Sequence, residues 1–187
     1  EGNHERWLWV WANDGICKSK EFELVTKTQL ETAMISKKEV RKLYRRIGQC
    51  AYFKYGENVY LVTHAGLSTI PDNLTTVATV QMVKGVGNYN DFELVAESFV
   101  KQTPDNCFQI FGHRNTKRLP AQINDRCFDL EGQVEFGGHL RCLDIYPDGT
   151  HRVIEIKNDI FAAPQTAEET KTTAGNKDVG DMIMDLR

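Results

Sequence analysis

The stretch Val59-Tyr-Leu-Val-Thr-His64-Ala-Gly-Leu-Ser68 (VYLVTHAGLS) decides how this chain is to be read. Five residues rich in β-branched and aromatic side chains predict a buried strand. The strand stops at a histidine followed by two small residues, Ala65 and Gly66, which let a backbone approach an ion or a phosphate closely. A second strand with the same ending lies downstream, Asn106-Cys-Phe-Gln-Ile-Phe-Gly112 followed by His113. Strand ends in α/β proteins are where ligands and catalytic groups gather. A third histidine, His4, stands beside a glycine and an amide in Glu1-Gly2-Asn3-His4-Glu5, a sequence suited to a turn that presents ligands. Imidazole nitrogens and an Asn oxygen make a mixed N/O donor set that suits Mn, Fe, Ni or Zn better than Mg or Ca.

The rest of the chain is consistent with one α/β domain and an appendage. It has 187 residues, 41% hydrophobic and 26% charged, with a net charge of −3. No global basic field advertises nucleic acid. No apolar run approaches the roughly 20 residues that span a bilayer, and Glu1 to Trp11 lacks the basic start of a secretory leader. Five scattered cysteines (Cys17, Cys50, Cys107, Cys127, Cys142) without a C-x-x-C pair read as reduced, buried thiols. A cytoplasmic protein is expected.

Between these landmarks, Trp7–Ala12 reads as a buried helical segment, and Ser19–Thr32 as helical around Phe22, Leu24, Val25 and Leu30. Ser36 caps a helix with Val40, Leu43, Tyr44 and Ile47 on one face and Gly48 at its end. CAYFKY and VYLVTH form a hairpin about Gly56-Glu57-Asn58. Residues 71–91 are polar and turn-rich, and the GVGNYN within them is a turn and not a phosphate loop, lacking a preceding strand and a following Lys. A helix over Phe92–Lys101, a strand near Arg126–Leu130 and a hairpin about Pro147-Asp148-Gly149 follow. Glu131–Gly138 reads as a strand and turn, and His139 and His151 as surface or hairpin residues. From 162 to 187 the chain is small and polar, so a domain over 1–161 and a linker, or the start of a further domain, over 162–187 are expected.

GNHE, THAGL and GH, in that order, resemble the third, fourth and fifth motifs of the calcineurin-like metallophosphoesterases. FGHRN, NDRCFDLEGQVEFGGHLRCLDI and a trailing IEIKN are most similar to the phosphatase module of bacterial and phage polynucleotide kinase–phosphatases. The resemblance implies an α/β sandwich, here its C-terminal portion, and hydrolysis by in-line attack at phosphorus with two divalent ions (Mn, Ni, Fe or Zn). Asn3, His64 and His113 would be metal ligands, His4 would assist at the scissile phosphate, and Arg114 would bind phosphate at the substrate mouth. The family's upstream Asp-x-His and Gly-Asp-x-x-Asp-Arg-Gly motifs are absent from these 187 residues, so about half of the binuclear site is expected here, in a piece of a longer protein.

RNA ends are the first substrate class that the resemblance implies. The alternatives are a Ser/Thr protein phosphatase, a dinucleoside polyphosphate hydrolase, and an incomplete module that acts only with its missing half or a partner. Lys37–Arg46 carries six basic residues. Such a run is ordinarily a solvated helix face, but with an RNA substrate Lys38, Arg41 and Arg45 become backbone contacts. Exposed sheet edges in a truncated sandwich would favour a homodimer or strand exchange.

Overall fold

The computed structural model describes residues 1–115 and 117–160; the expected linker lies outside them. The chain divides after Gly48 into two compact units, Glu1–Gly48 and the described part of Gln49–Ala163. That division falls inside the stretch read from sequence as one domain. Its physical basis is a separate small core, in which Trp11, Ala12, Phe22 and Val40 close on one another.

In the first unit, α1 (Glu5–Ala12) follows the GNHE turn directly. A π-helical turn over Phe22–Thr26 runs into α2 (Lys27–Thr32) and buries Phe22, while Leu24 and Val25 face solvent. The Ser36 cap is present as a full capping box on α3 (Lys37–Tyr44): the Glu39 amide donates to Ser36 Oγ, and Ser36 N–H donates to Glu39 Oε2 at 2.9 Å. The helix ends at Tyr44, well before Gly48. Leu43 is 55% exposed, so the buried face is narrower than its spacing predicts. Val40 is buried and the Tyr44 ring stacks on Trp9, with centroids 4.9 Å apart. Full burial of one such aliphatic or aromatic side chain contributes about 1.5–3 kcal/mol.

The second unit is built on a five-stranded mixed sheet of order β1-β2-β3-β5-β4. β1 (Cys50–Tyr55) and β2 (Asn58–Thr63) form the expected hairpin. β2 runs parallel to β3 (Cys107–Phe111), and β3 parallel to β5 (Cys127–Asp129). A short strand not expected from sequence, β4 (Gln122–Asn124), closes the far edge. Between β2 and β3 the chain forms α4 (Thr79–Lys84) and α5 (Phe92–Gln102). Residues 71–91 are therefore more than turns: α4 buries Met82 and Val83.

Both faces of the sheet are covered, which explains why β2 and β3 read as nearly continuous apolar runs. On one face Leu61, Cys107 and Cys127 pack with Met82 of α4 and with Ala96 and Phe99 of α5. On the other, Tyr60, Ile110 and Phe128 pack beneath Leu143, Ile145 and Val153. The last three belong to a separate hairpin, β6 (His139–Ile145) and β7 (His151–Lys157).

His151 is a hairpin residue, as expected, opening β7 opposite Ile145. Its ring lies against Phe108 and Phe128, and its Nε2 is 2.9 Å from the Tyr60 hydroxyl. Burial lowers its pKa. Residues 134–136 form a 3-10 turn in place of the expected strand, with Gln133 and Gly137 both left-handed on either side.

Candidate metal-ligand site

β2 and β3 are parallel neighbours, so His64 and His113 leave the same edge of the sheet. The ladder continues one step beyond the strands, because the Gly112 amide donates to the His64 carbonyl at 2.9 Å. The two imidazole rings consequently stand side by side, with centroids 4.8 Å apart and planes inclined at 38°. Tyr89 places its ring edge-on to His113 at 5.2 Å. His113 adopts φ +71°, a left-handed conformation uncommon for a residue with a Cβ.

The HAGL turn after β2 is pinned from below. Gly66 N–H donates to Thr63 Oγ1 at 3.0 Å, and Leu67 N–H to Gln109 Oε1 at 2.6 Å. Gly66 lies over the Phe111 ring at φ +81°, where a Cβ would approach the ring to 3.1 Å. Gly112 has no such neighbour: a Cβ there would meet nothing nearer than 3.7 Å. Packing within the protein therefore requires glycine at 66 and does not require it at 112.

Arg114 has a different place from the one its sequence position suggests. It is fully buried, and its guanidinium donates to the carbonyls of Ala65, Val86, Asn88 and Tyr89. The side chain organises the GVGNYN turn from inside and is not at an open substrate mouth. Burial lowers its pKa, and the nearby Asp91 carboxylate opposes that shift.

Two acidic residues missed in the sequence reading lie beyond β3, at the end of β5. Asp129 is fully buried, its Oδ2 has no hydrogen-bond partner, and burial pushes its pKa up to about 7. Glu131 accepts the Gln133 N–H at 2.7 Å, and burial raises its pKa as well. The signal available in sequence was Phe128-Asp-Leu-Glu-Gly132, two carboxylates at i and i+2 where a strand runs out.

Asn3 and His4 belong to the first unit. The Gly2 amide donates to Glu5 Oε2 at 2.8 Å, which closes the GNHE turn. His4 Nδ1 is 3.5 Å from Glu21 Oε2. On α3, Arg41 donates to the Ala12 carbonyl at the end of α1, and Lys37 pairs with Asp14. Part of the basic run is thus occupied within the protein, whereas Lys38 and Arg45 are exposed.

No family model matches the chain, and no curated protein matches it. A solved structure does: a protein provisionally described as a diadenosine tetraphosphatase, with a TM-score of 0.53 at 15% sequence identity. The alignment covers 82% of this chain and 66% of the other, so the chain spans just under two thirds of its neighbour's length. The fold is the calcineurin-like α/β fold. At this identity the likeness is one of architecture.

Whether the residues fit the divalent ions implied by that fold turns on the histidine pair. Two adjacent imidazoles, one held by an unusual backbone conformation, suit a borderline transition metal. Among the described residues, no group of three or more His, Cys, Asp and Glu side chains gathers closely enough to hold a metal. The pair therefore fits as part of a coordination shell and not as a whole one. Among the described residues no helix is long and apolar enough to cross a membrane.

Proposed function

We propose that this chain contributes to a metal-dependent phosphoesterase in which His64 and His113 ligate one divalent ion. The observation that carries the reading is the 4.8 Å pairing of the two rings at the ends of adjacent parallel strands. Divalent ions at such a site lower the pKa of water and neutralise phosphoryl oxygens. The chain's own part is to hold the two imidazoles rigidly. The β2–β3 ladder, the Thr63 and Gln109 hydrogen bonds to the HAGL turn, and the buried Arg114 beneath it all serve that end.

The substrate class proposed first is RNA ends, bearing a terminal or 2′,3′-cyclic phosphate. Its support is the likeness of the Phe111–Asn115, Asn124–Ile145 and Ile154–Asn158 segments to polynucleotide kinase–phosphatases, together with the exposed cations Lys38 and Arg45. A dinucleoside polyphosphate is the second reading, favoured by the fold neighbour. Mn²⁺-dependent hydrolysis of an aryl phosphate, a 2′,3′-cyclic nucleotide and diadenosine tetraphosphate separates them, with His64→Ala as control. The reading expects turnover that depends on His64 and is highest on the cyclic nucleotide. Preference for diadenosine tetraphosphate would transfer the assignment to the second class. Turnover unaffected by His64→Ala would refute the metal-ligand role.

A further inference from the structure

β1 lies at one margin of the five-stranded sheet and, among the described residues, pairs with β2 alone. Which of its backbone groups face outward follows from the turn. Tyr55 and Asn58 flank the turn Gly56-Glu57, with Gly56 at φ +60°, and so form a hydrogen-bonded pair. The alternation then turns the amides and carbonyls of Ala51, Phe53 and Tyr55 towards β2, and those of Cys50, Tyr52 and Lys54 away from the sheet. β2 agrees, because the Val59 amide donates to the Asn106 carbonyl on the β3 side at 2.8 Å.

Edge strands are ordinarily protected against pairing by shortness, charge, proline or a bulge. β4, at the other margin, is short and irregular in register. β6 and β7 carry Arg141, Asp144, Arg152, Glu155 and Lys157 between them. β1 has 6 residues in unbroken register, no proline and a single charge, Lys54. It also brings three large aromatic side chains to the surface, Tyr52, Phe53 and Tyr55, which are 51%, 40% and 42% exposed. Phe53 is held in place by stacking on Tyr60, with centroids 5.3 Å apart.

We infer that β1 is a pairing surface for a second copy of this chain, the two β1 strands running antiparallel across a two-fold axis and joining the two sheets into one. Self-complementarity selects this occupant. Setting Tyr52 opposite its symmetry mate places Cys50 opposite Lys54, so every outward residue of each copy falls in a hydrogen-bonded pair. In that register Phe53 meets Ala51, a large side chain beside a small one, and the two Lys54 side chains stay apart. Sliding the strands towards the turn leaves Cys50 unmatched and then sets Lys54 against Lys54, which like charge disfavours. One paired strand is a small contact beside the ~800 Å² per partner of a standard interface, so the dimer forms and dissociates with concentration. The inference is independent of the reading of His64 and His113.

The test follows the full chain by sedimentation equilibrium over a wide concentration range, with amide hydrogen exchange measured at both ends of that range. A reversible rise from the mass of one chain to that of two is expected. The Tyr52 and Lys54 amides should exchange more slowly at high concentration, whereas those of Ala51, Phe53 and Tyr55 are protected throughout by β2. Tyr52→Lys sets like charges opposite each other and should abolish both the rise in mass and the slowing. Tyr52→Phe should retain both. A monomer at every concentration would overturn the inference, as would a dimer untouched by Tyr52→Lys. A dimer that survives dilution would mean strand exchange and overturn it too. Should Tyr52→Lys not fold, exchange in the wild type decides: slowing at Tyr52 and Lys54 that tracks the rise in mass supports the inference, and a dimer without that slowing overturns it.

Discussion

The Arg114 guanidinium donates to the Val86 carbonyl at 2.9 Å, tying the residue after a candidate metal ligand to the turn that follows α4. The same guanidinium reaches Ala65, the residue after the other candidate ligand, at 3.2 Å. One buried cation thus links both histidine loops to the GVGNYN turn.

Arg114 should therefore behave as a stability residue. Hydrogen bonds to charged groups are worth about 1.5–3 kcal/mol each, and their contributions are not additive. Arg114→Ala, which leaves four carbonyls without their donor, is expected to cost about 3–5 kcal/mol. Arg114→Lys recovers little, because a point ammonium cannot reproduce the fork. Urea unfolding measures both. A variant that keeps wild-type stability and only weakens phosphate binding would return Arg114 to the substrate mouth.

Asp129 predicts a pH dependence in the metal-free protein. Its carboxyl, raised from 3.8 to about 7 by burial, is protonated in the fold and ionised in the unfolded chain between those values. The native state then binds more protons, so stability falls as pH rises from about 4 to about 7. Below that window the group costs nothing, and above it the loss is constant, on the order of 4 kcal/mol as an upper bound. Asp129→Asn should flatten the decline. A profile unchanged by that substitution would assign the decline to other groups.

Two glycines next to the site should respond oppositely to alanine. At Gly85, φ is +78° and a Cβ would come within 2.5 Å of the Ala65 carbonyl and 2.6 Å of the Arg114 guanidinium. Gly85→Ala is expected to destabilise by more than the roughly 1 kcal/mol of an ordinary left-handed position. Gly112→Ala should leave the unfolding free energy within about 0.5 kcal/mol of wild type. Any loss of metal or phosphate binding in Gly112→Ala would then report close approach of a ligand.

The thiols give a simple check on packing. Cys142 is exposed, whereas Cys107 and Cys127 are buried, and burial pushes the Cys127 pKa up to about 11. With an aromatic disulfide reagent at neutral pH, Cys142 should react first and Cys127 only on unfolding. Rapid labelling of Cys127 would contradict the packing of α5 on β5.

What the sequence by itself determined is local: the strands ending at His64 and His113, the Ser36 capping box, and the hairpins at Gly56 and Gly149. Each follows from short-range periodicity, turn chemistry or a cap, which neighbours along the chain supply. Its motifs also pointed to the calcineurin-like fold. The pairing of His64 with His113 could not be read this way, because 49 residues separate them in sequence and only the parallel β2–β3 register brings them together. The fate of Arg114 was equally hidden. Beside a motif histidine an arginine looks like an anion ligand, and whether it points outward or into four carbonyls depends on where the GVGNYN turn folds. Leu43 differs from expectation for the same reason: a face is buried or exposed according to what packs on it. Asp129 and Glu131 acquire their significance only from burial, a property of the assembled fold that no spacing of residues encodes.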